Sequence, residues 1–265
     1  MSQNHEGSER DRAVSRSDIA GFYDEFSRRL VSGYVTGNPR IEHALQFATG
    51  HLPDLAESLL EIGCGVGETT SRLCSHRPDL RAVGVDISPQ NIATAQQLFA
   101  PSTEATFLVS DLTQAVEGGP FDVVTLLDVY EHIPSDSRRS FHQNLGQSMS
   151  DRSRLIVTCP SYLHQDHLHK NQPDGLQIVD ETIGPEELLR LASDLGGHLS
   201  HLHYESVWRT NDYVYAIIDR QMNYQWKPKP RGLRRLSTKV IRFLDRTPLG
   251  GPARRQRHVR RRLAA

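Results

Sequence analysis

Cysteine is scarce in this 265-residue chain, and what there is forms no pattern. Cys64, Cys74 and Cys159 are odd in number, and none sits in a metal-type pair. That excludes a disulfide framework and a cysteine zinc site, and it points to a reducing cytoplasm. Long apolar runs are missing too. No stretch approaches the roughly 18 residues needed for a membrane span. The first ten residues, Met-Ser-Gln-Asn-His-Glu-Gly-Ser-Glu-Arg, lack the apolar core of a secretory signal. Net charge is nearly absent at −1, with hydrophobic residues at 37% and charged ones at 24%, as in an ordinary globular protein. The two tryptophans, Trp208 and Trp226, have no motif around them.

The small net charge hides a division. From Lys227 onward there are fourteen Lys and Arg against one acid, Asp245. An acidic body thus precedes a basic tail suited to nucleic acid, an anionic lipid surface or the body itself. Within the tail, Leu236–Leu244 reads as a short amphipathic helix.

Residues 1–16 are polar and read as disordered. Residues 17–57 read as a helical cover. Asp18–Leu30 places Ile19, Phe22, Phe26 and Leu30 on one face, Gly33 to Pro39 breaks the helix, and a second covers Arg40–Thr49. From Ser58 the pattern changes. Strand-like runs at Leu59–Ile62, Arg81–Asp86, Thr106–Ser110, Asp122–Leu127 and Arg154–Thr158 alternate with helical stretches at Glu68–His76, Pro89–Phe99 and Asp136–Met149. Such alternation argues for βαβ units and a parallel sheet. After a helix at Glu186–Leu195, the runs Leu199–Trp208 and Tyr213–Asp219 flank a short connection, so the sheet should end in an antiparallel pair. The α/β domain is expected to span 58–226, with the tail at 227–265.

Leu59-Leu-Glu-Ile-Gly-Cys-Gly-Val-Gly-Glu68 lies between a strand and a helix. Glycine there lets a ligand approach the backbone, and the helix start offers free N–H groups. The dinucleotide pattern Gly-x-Gly-x-x-Gly is not matched, because the third glycine comes one position early. Glu61-x-Gly63-x-Gly65-x-Gly67 instead resembles motif I of the class I S-adenosylmethionine (SAM)-dependent methyltransferases. Asp86 and Asp111 end the next two strands in the family's order. The resemblance implies a Rossmann-like, doubly wound, seven-stranded sheet of order 3-2-1-4-5-7-6. It also implies a site in which Glu61 stands near the methionine part and Asp128 joins the cofactor-binding residues. Asp86 would take the ribose hydroxyls, Asp111 the adenine amine, and Ile87 and Leu112 the faces of the base.

The fourth strand leads into Asp128-Val-Tyr-Glu131-His132, and the fifth opens into a segment with His164, His167 and His169. Both belong at strand carboxyl ends, where ligands bind in open α/β sheets. The first segment is similar to the Glu-x-x-Glu-His of ubiquinone-biosynthesis O-methyltransferases and of small-RNA 2′-O-methyltransferases, with Asp128 in place of the first Glu. The resemblance implies a divalent metal such as Mg²⁺ on Asp128, Glu131, His132 and His167. The other reading makes Glu131, His132 and His167 a catalytic set without metal, with a histidine as general base. Both readings make oxygen the acceptor atom. Tyr23, Phe26 and Tyr34 of the cover are candidates to close over the cofactor. The expectation is a small-molecule O-methyltransferase acting on a sugar, phenol or natural product. The rivals are an RNA-terminal 2′-O-methyltransferase and a non-catalytic scaffold using its basic tail.

Overall fold

The structure is a computed structural model that describes residues 16–99 and 105–222. The polar N-terminus before Arg16, the tail 227–265 and its stretch Leu236–Leu244 lie outside the described residues. Two helices, α1 (Arg16–Thr36) and α2 (Pro39–His51), precede the sheet. The alternation that follows is β1 (Ser58–Ile62), α3 (Glu68–His76), β2 (Arg81–Asp86), α4 (Pro89–Phe99), β3 (Ala105–Val109), β4 (Phe121–Leu127), α5 (Arg138–Ser148) and β5 (Met149–Pro160). The chain continues through α6 (Tyr162–Asn171), α7 (Pro185–Asp194), β6 (His198–Glu205) and β7 (Tyr213–Asp219). The seven strands form one sheet of order β3-β2-β1-β4-β5-β7-β6. All pairings are parallel except β5–β7 and β6–β7. Among the described residues no helix is long and apolar enough to cross a membrane.

Burial on both faces explains why the central strands read as unbroken apolar runs. Every residue of β1 is buried. Leu60, Val124 and Leu155 face the core completed by α5 and α7. Their neighbours Leu59, Val123 and Ile156 face the opposite core, completed by α2 and α3. β1 pairs with β2 on one side and β4 on the other. The chain reverses its winding between β1 and β4, and that switch point opens a crevice at the strands' carboxyl ends.

The structure refines four local readings. The break expected within Gly33–Pro39 falls at its far end, since α1 runs past Gly33 to Thr36; one interior glycine costs only about 1 kcal/mol. The break comes at Gly37, with φ +80°, and at Asn38, whose side chain accepts the Arg40 N–H to start α2. The histidine segment is a helix, because Ser161 caps it through the His164 N–H. β5 is twelve residues long and begins at Met149, which pairs with Phe121 across a register shift. β6 stops at Glu205 rather than Trp208. The Asp212 carboxylate collects the N–H groups of Val207, Trp208 and Arg209 at 2.8–2.9 Å and turns the chain there.

Candidate active site

The glycine loop leaves β1 and is tied to β2. Gly63 and Cys64 both donate to the Val85 carbonyl, at 2.7 and 3.0 Å. Gly65 donates to the Asp86 carboxylate at 2.8 Å. Gly63 adopts φ +71°, and a Cβ there would lie 2.3 Å from a Val129 methyl. Gly67, at φ +85°, starts α3 and packs against Phe107 and Ala95. Backbone twist and crowding therefore both require glycine at these two positions.

The loop, the carboxyl ends of β1, β2 and β4, and the cover helices enclose a cavity of about 280 Å³. Tyr23 and Phe26 of α1 and Arg40 of α2 form its roof. The roof is fastened at two points. Asp24 accepts hydrogen bonds from the Ser88 hydroxyl and the Gln90 N–H at the start of α4. The Tyr23 hydroxyl donates to Gln177 at 2.9 Å. Tyr34 lies outside the wall, its ring edge against Phe99.

Glu61, Gly63, Gly65, Asp86, Ile87, Asp111, Leu112 and Asp128 all line this one cavity. Gly67 shapes the turn from behind. Glu61 is buried and accepts the hydroxyls of Thr69 and Thr70. Burial pushes its carboxyl up to about 7, against the pull of those two donors. Burial also raises Asp86, which braces the loop and accepts the Ser88 N–H at 2.9 Å and the Asn91 amide at 3.3 Å. Asp111 is exposed and accepts both the N–H and the hydroxyl of Thr113.

Asp128 adopts φ +59°, uncommon for a non-glycine residue and a form of strain that clusters at functional sites. Arg40 pairs with it at 3.0 Å. Burial nevertheless pushes the Asp128 carboxyl up to about 6. Burial, then the neighbouring Asp128, drives Glu131 well above the usual carboxylate range. Asp128 Oδ1 and Glu131 Oε2 are buried without a hydrogen-bond partner. His132 donates Nδ1–H to the Val179 carbonyl at 2.7 Å, with Asp180 Oδ1 3.4 Å from the same nitrogen. Its Nε2 therefore keeps a free lone pair when the ring is neutral. Burial lowers its pKa, so the neutral ring is the form at neutral pH.

His167 does not join this group. Its Nε2 takes a hydrogen bond from Arg209 at 2.6 Å, and its Nδ1 lies 3.1 Å from the Asn171 amide. Of the three α6 histidines, His164 is the one that packs on Tyr213, ring centroids 6.4 Å apart. Among the described residues, no three His, Cys, Asp or Glu side chains gather as a metal ion would need. The expected set Asp128, Glu131, His132 and His167 is thus not assembled: helix formation carries His167 away, and Asp128 is taken by a guanidinium. The donors present do not fit a divalent ion. They fit SAM better, with a glycine cradle, the apolar side chains of Ile87 and Leu112 on the cavity wall, and orphaned carboxylate oxygens for a cationic ligand. Sequence reasoning missed Arg40, Thr69, Thr70, Gln177, Val179 and Asp180. Only the Asn38-Pro39 helix start hinted at any of them.

A family model described as a methyltransferase domain matches residues 60–155. The ubiquinone biosynthesis O-methyltransferase of Neisseria meningitidis serogroup C is 26% identical over 199 residues, covering 70% of this chain and 82% of that protein. The chloroplastic tocopherol O-methyltransferase of Arabidopsis thaliana is 30% identical over 209 residues, covering 74% of this chain and 54% of that protein. In fold, the chain is similar to DhpI, solved as a complex with SAH (S-adenosylhomocysteine), at a TM-score of 0.56 and 20% identity, over 82% of this chain and 98% of that one.

Proposed function

We propose that the chain is a class I SAM-dependent methyltransferase and that it transfers the methyl group to a hydroxyl oxygen of a small molecule such as a sugar, phenol or natural product. When bound, SAM supplies an electrophilic methyl group on a sulfonium. The residues around it have three tasks. Gly63, Gly65 and the start of α3 cradle the cofactor. Asp86 and Asp111 meet its polar edges, and the roof of Tyr23 and Phe26 excludes water.

The observation that carries the choice of oxygen is His132. Its tautomer is held by the Val179 carbonyl, and its ring lines the cavity. Nε2 is placed to take the proton of an acceptor hydroxyl, and Asp180 stabilises the imidazolium that results. Relatives bearing the names ubiquinone biosynthesis and tocopherol O-methyltransferase support the same atom class.

The test is His132→Asn, read with a panel of hydroxylated metabolites and radiolabelled SAM. General-base loss lowers kcat by about 10²–10⁴-fold, while SAH affinity stays at the wild-type level. An unchanged kcat on the accepted substrate sinks the assignment.

A further inference from the structure

The side chains that resemble metal ligands do meet in part, and a cation stands beside them. It is an arginine. Arg40 reaches in from the first turn of α2, with Nε 3.0 Å from Asp128 Oδ2. Its charge also bears on the buried Tyr213, whose hydroxyl pKa it pulls down against the effect of burial. Its positive charge acts on Glu131 and His132 as well, pulling the pKa of each down. At the other end of the expected set, a second guanidinium, Arg209, occupies the free nitrogen of His167.

We infer that Arg40 is the resident cation of this site, standing on Asp128 where a divalent ion would, and that the site takes no catalytic metal. The chemistry of the donors supports this. Mg²⁺ keeps near-ideal octahedral geometry at about 2.0–2.1 Å from its oxygens. A guanidinium already on Asp128 would stand against such an ion with like charge, carried on a helix that is packed on the sheet through Leu45, Phe47 and Ala48. Arginine also suits the role. It stays charged when buried. It ties the cover to the carboxyl end of β4 across the cavity roof. The inference stands whichever acceptor takes the methyl group, so its failure leaves the His132 assignment untouched.

The test is a Mn²⁺ titration of the full-length protein, followed by paramagnetic broadening of the His132 ring signals and by melting temperature. In the wild type, neither responds. In Arg40→Met, the unpaired Asp128 carboxylate takes up the ion, which can bind through one or two carboxylates while keeping its waters, so the nearby His132 broadens and Mn²⁺ raises the melting temperature. Arg40→Lys keeps the cation and behaves as wild type. Broadening of wild-type His132, or an Arg40→Met protein no more responsive than wild type, overturns the inference. Should Arg40→Met fail to fold, the double variant Arg40→Met/Asp128→Asn removes the stranded carboxylate and restores folding. A double variant that also fails to fold refutes the pairing.

Discussion

Gly63→Ala isolates the requirement on which the cofactor loop rests. The substitution adds one methyl group at a residue with φ +71°, 2.3 Å from Val129 Cγ2 and 3.3 Å from Val129 Cγ1. The left-handed backbone costs an L-residue about 1–2 kcal/mol. Overpacking against a side chain that cannot retreat costs about 1–3 kcal/mol more. Val129 has little freedom to move, because it packs on the main core and follows the strained Asp128. The reduced entropy of the unfolded alanine chain offsets about 0.4–1 kcal/mol. The net loss is roughly 2–4 kcal/mol. At about 2–4 °C per kcal/mol for a domain of this size, thermal melting should shift down by roughly 5–15 °C. Affinity for SAH, read by calorimetry, should fall as well, because the Gly63 N–H that anchors the loop on Val85 moves with it. A second variant separates the two costs. Val129→Ala in the Gly63→Ala background removes the clash but not the twist, so a double-mutant cycle should return a coupling of about 1–3 kcal/mol. Strictly additive losses, or a single variant that melts with the wild type, refute the reasoning.

Three further outcomes follow from the same geometry. Glu61 at about 7 and Asp128 at about 6 both lie above their ordinary values of 4.5 and 3.8, so the folded chain holds these protons more tightly than the unfolded one. Their contribution to stability is fully present below about pH 4 and is lost as pH rises through 6 to 7. The wild-type melting temperature should therefore decline across that window and Glu61→Gln should decline less; equal slopes would show that the buried carboxyl is not the cause. Tyr23→Phe deletes the hydrogen bond to Gln177 and should cost about 1 kcal/mol, seen as a severalfold weaker SAH affinity with an unchanged far-UV spectrum. Asp212→Ala strips three backbone N–H groups of their acceptor and should destabilise by about 2–4 kcal/mol, measured by urea denaturation; a loss under 0.5 kcal/mol would show that the turn holds without it.

Much of the domain was legible from sequence because its signals are short-range. The glycine spacing, the apolar runs of β1, β4 and β5, and the Ser88-Pro89 helix start each act within one turn or one strand. The positions of Asp86 and Asp111 were likewise legible, since Asp86 ends β2 and Asp111 closely follows β3, strands that carry their own pattern. The limits of that reading are local as well. The resemblance to the small-RNA enzymes points to His167, but the Ser161 cap winds that segment into a helix that faces it toward Arg209.

What the sequence by itself determined is the βαβ alternation, the glycine loop and the presence of a carboxylate–histidine segment after β4. Tertiary structure alone decided the electrostatics of that segment. Arg40 and Asp128 are 88 positions apart, and Val179 meets His132 across 47. Neither pairing leaves a periodicity or a motif, because each exists only once the cover helix and the loop before α7 have packed over the carboxyl ends of the strands. Burial then sets the protonation of Glu61, Asp128, Glu131 and His132, and burial is a property of the packed chain.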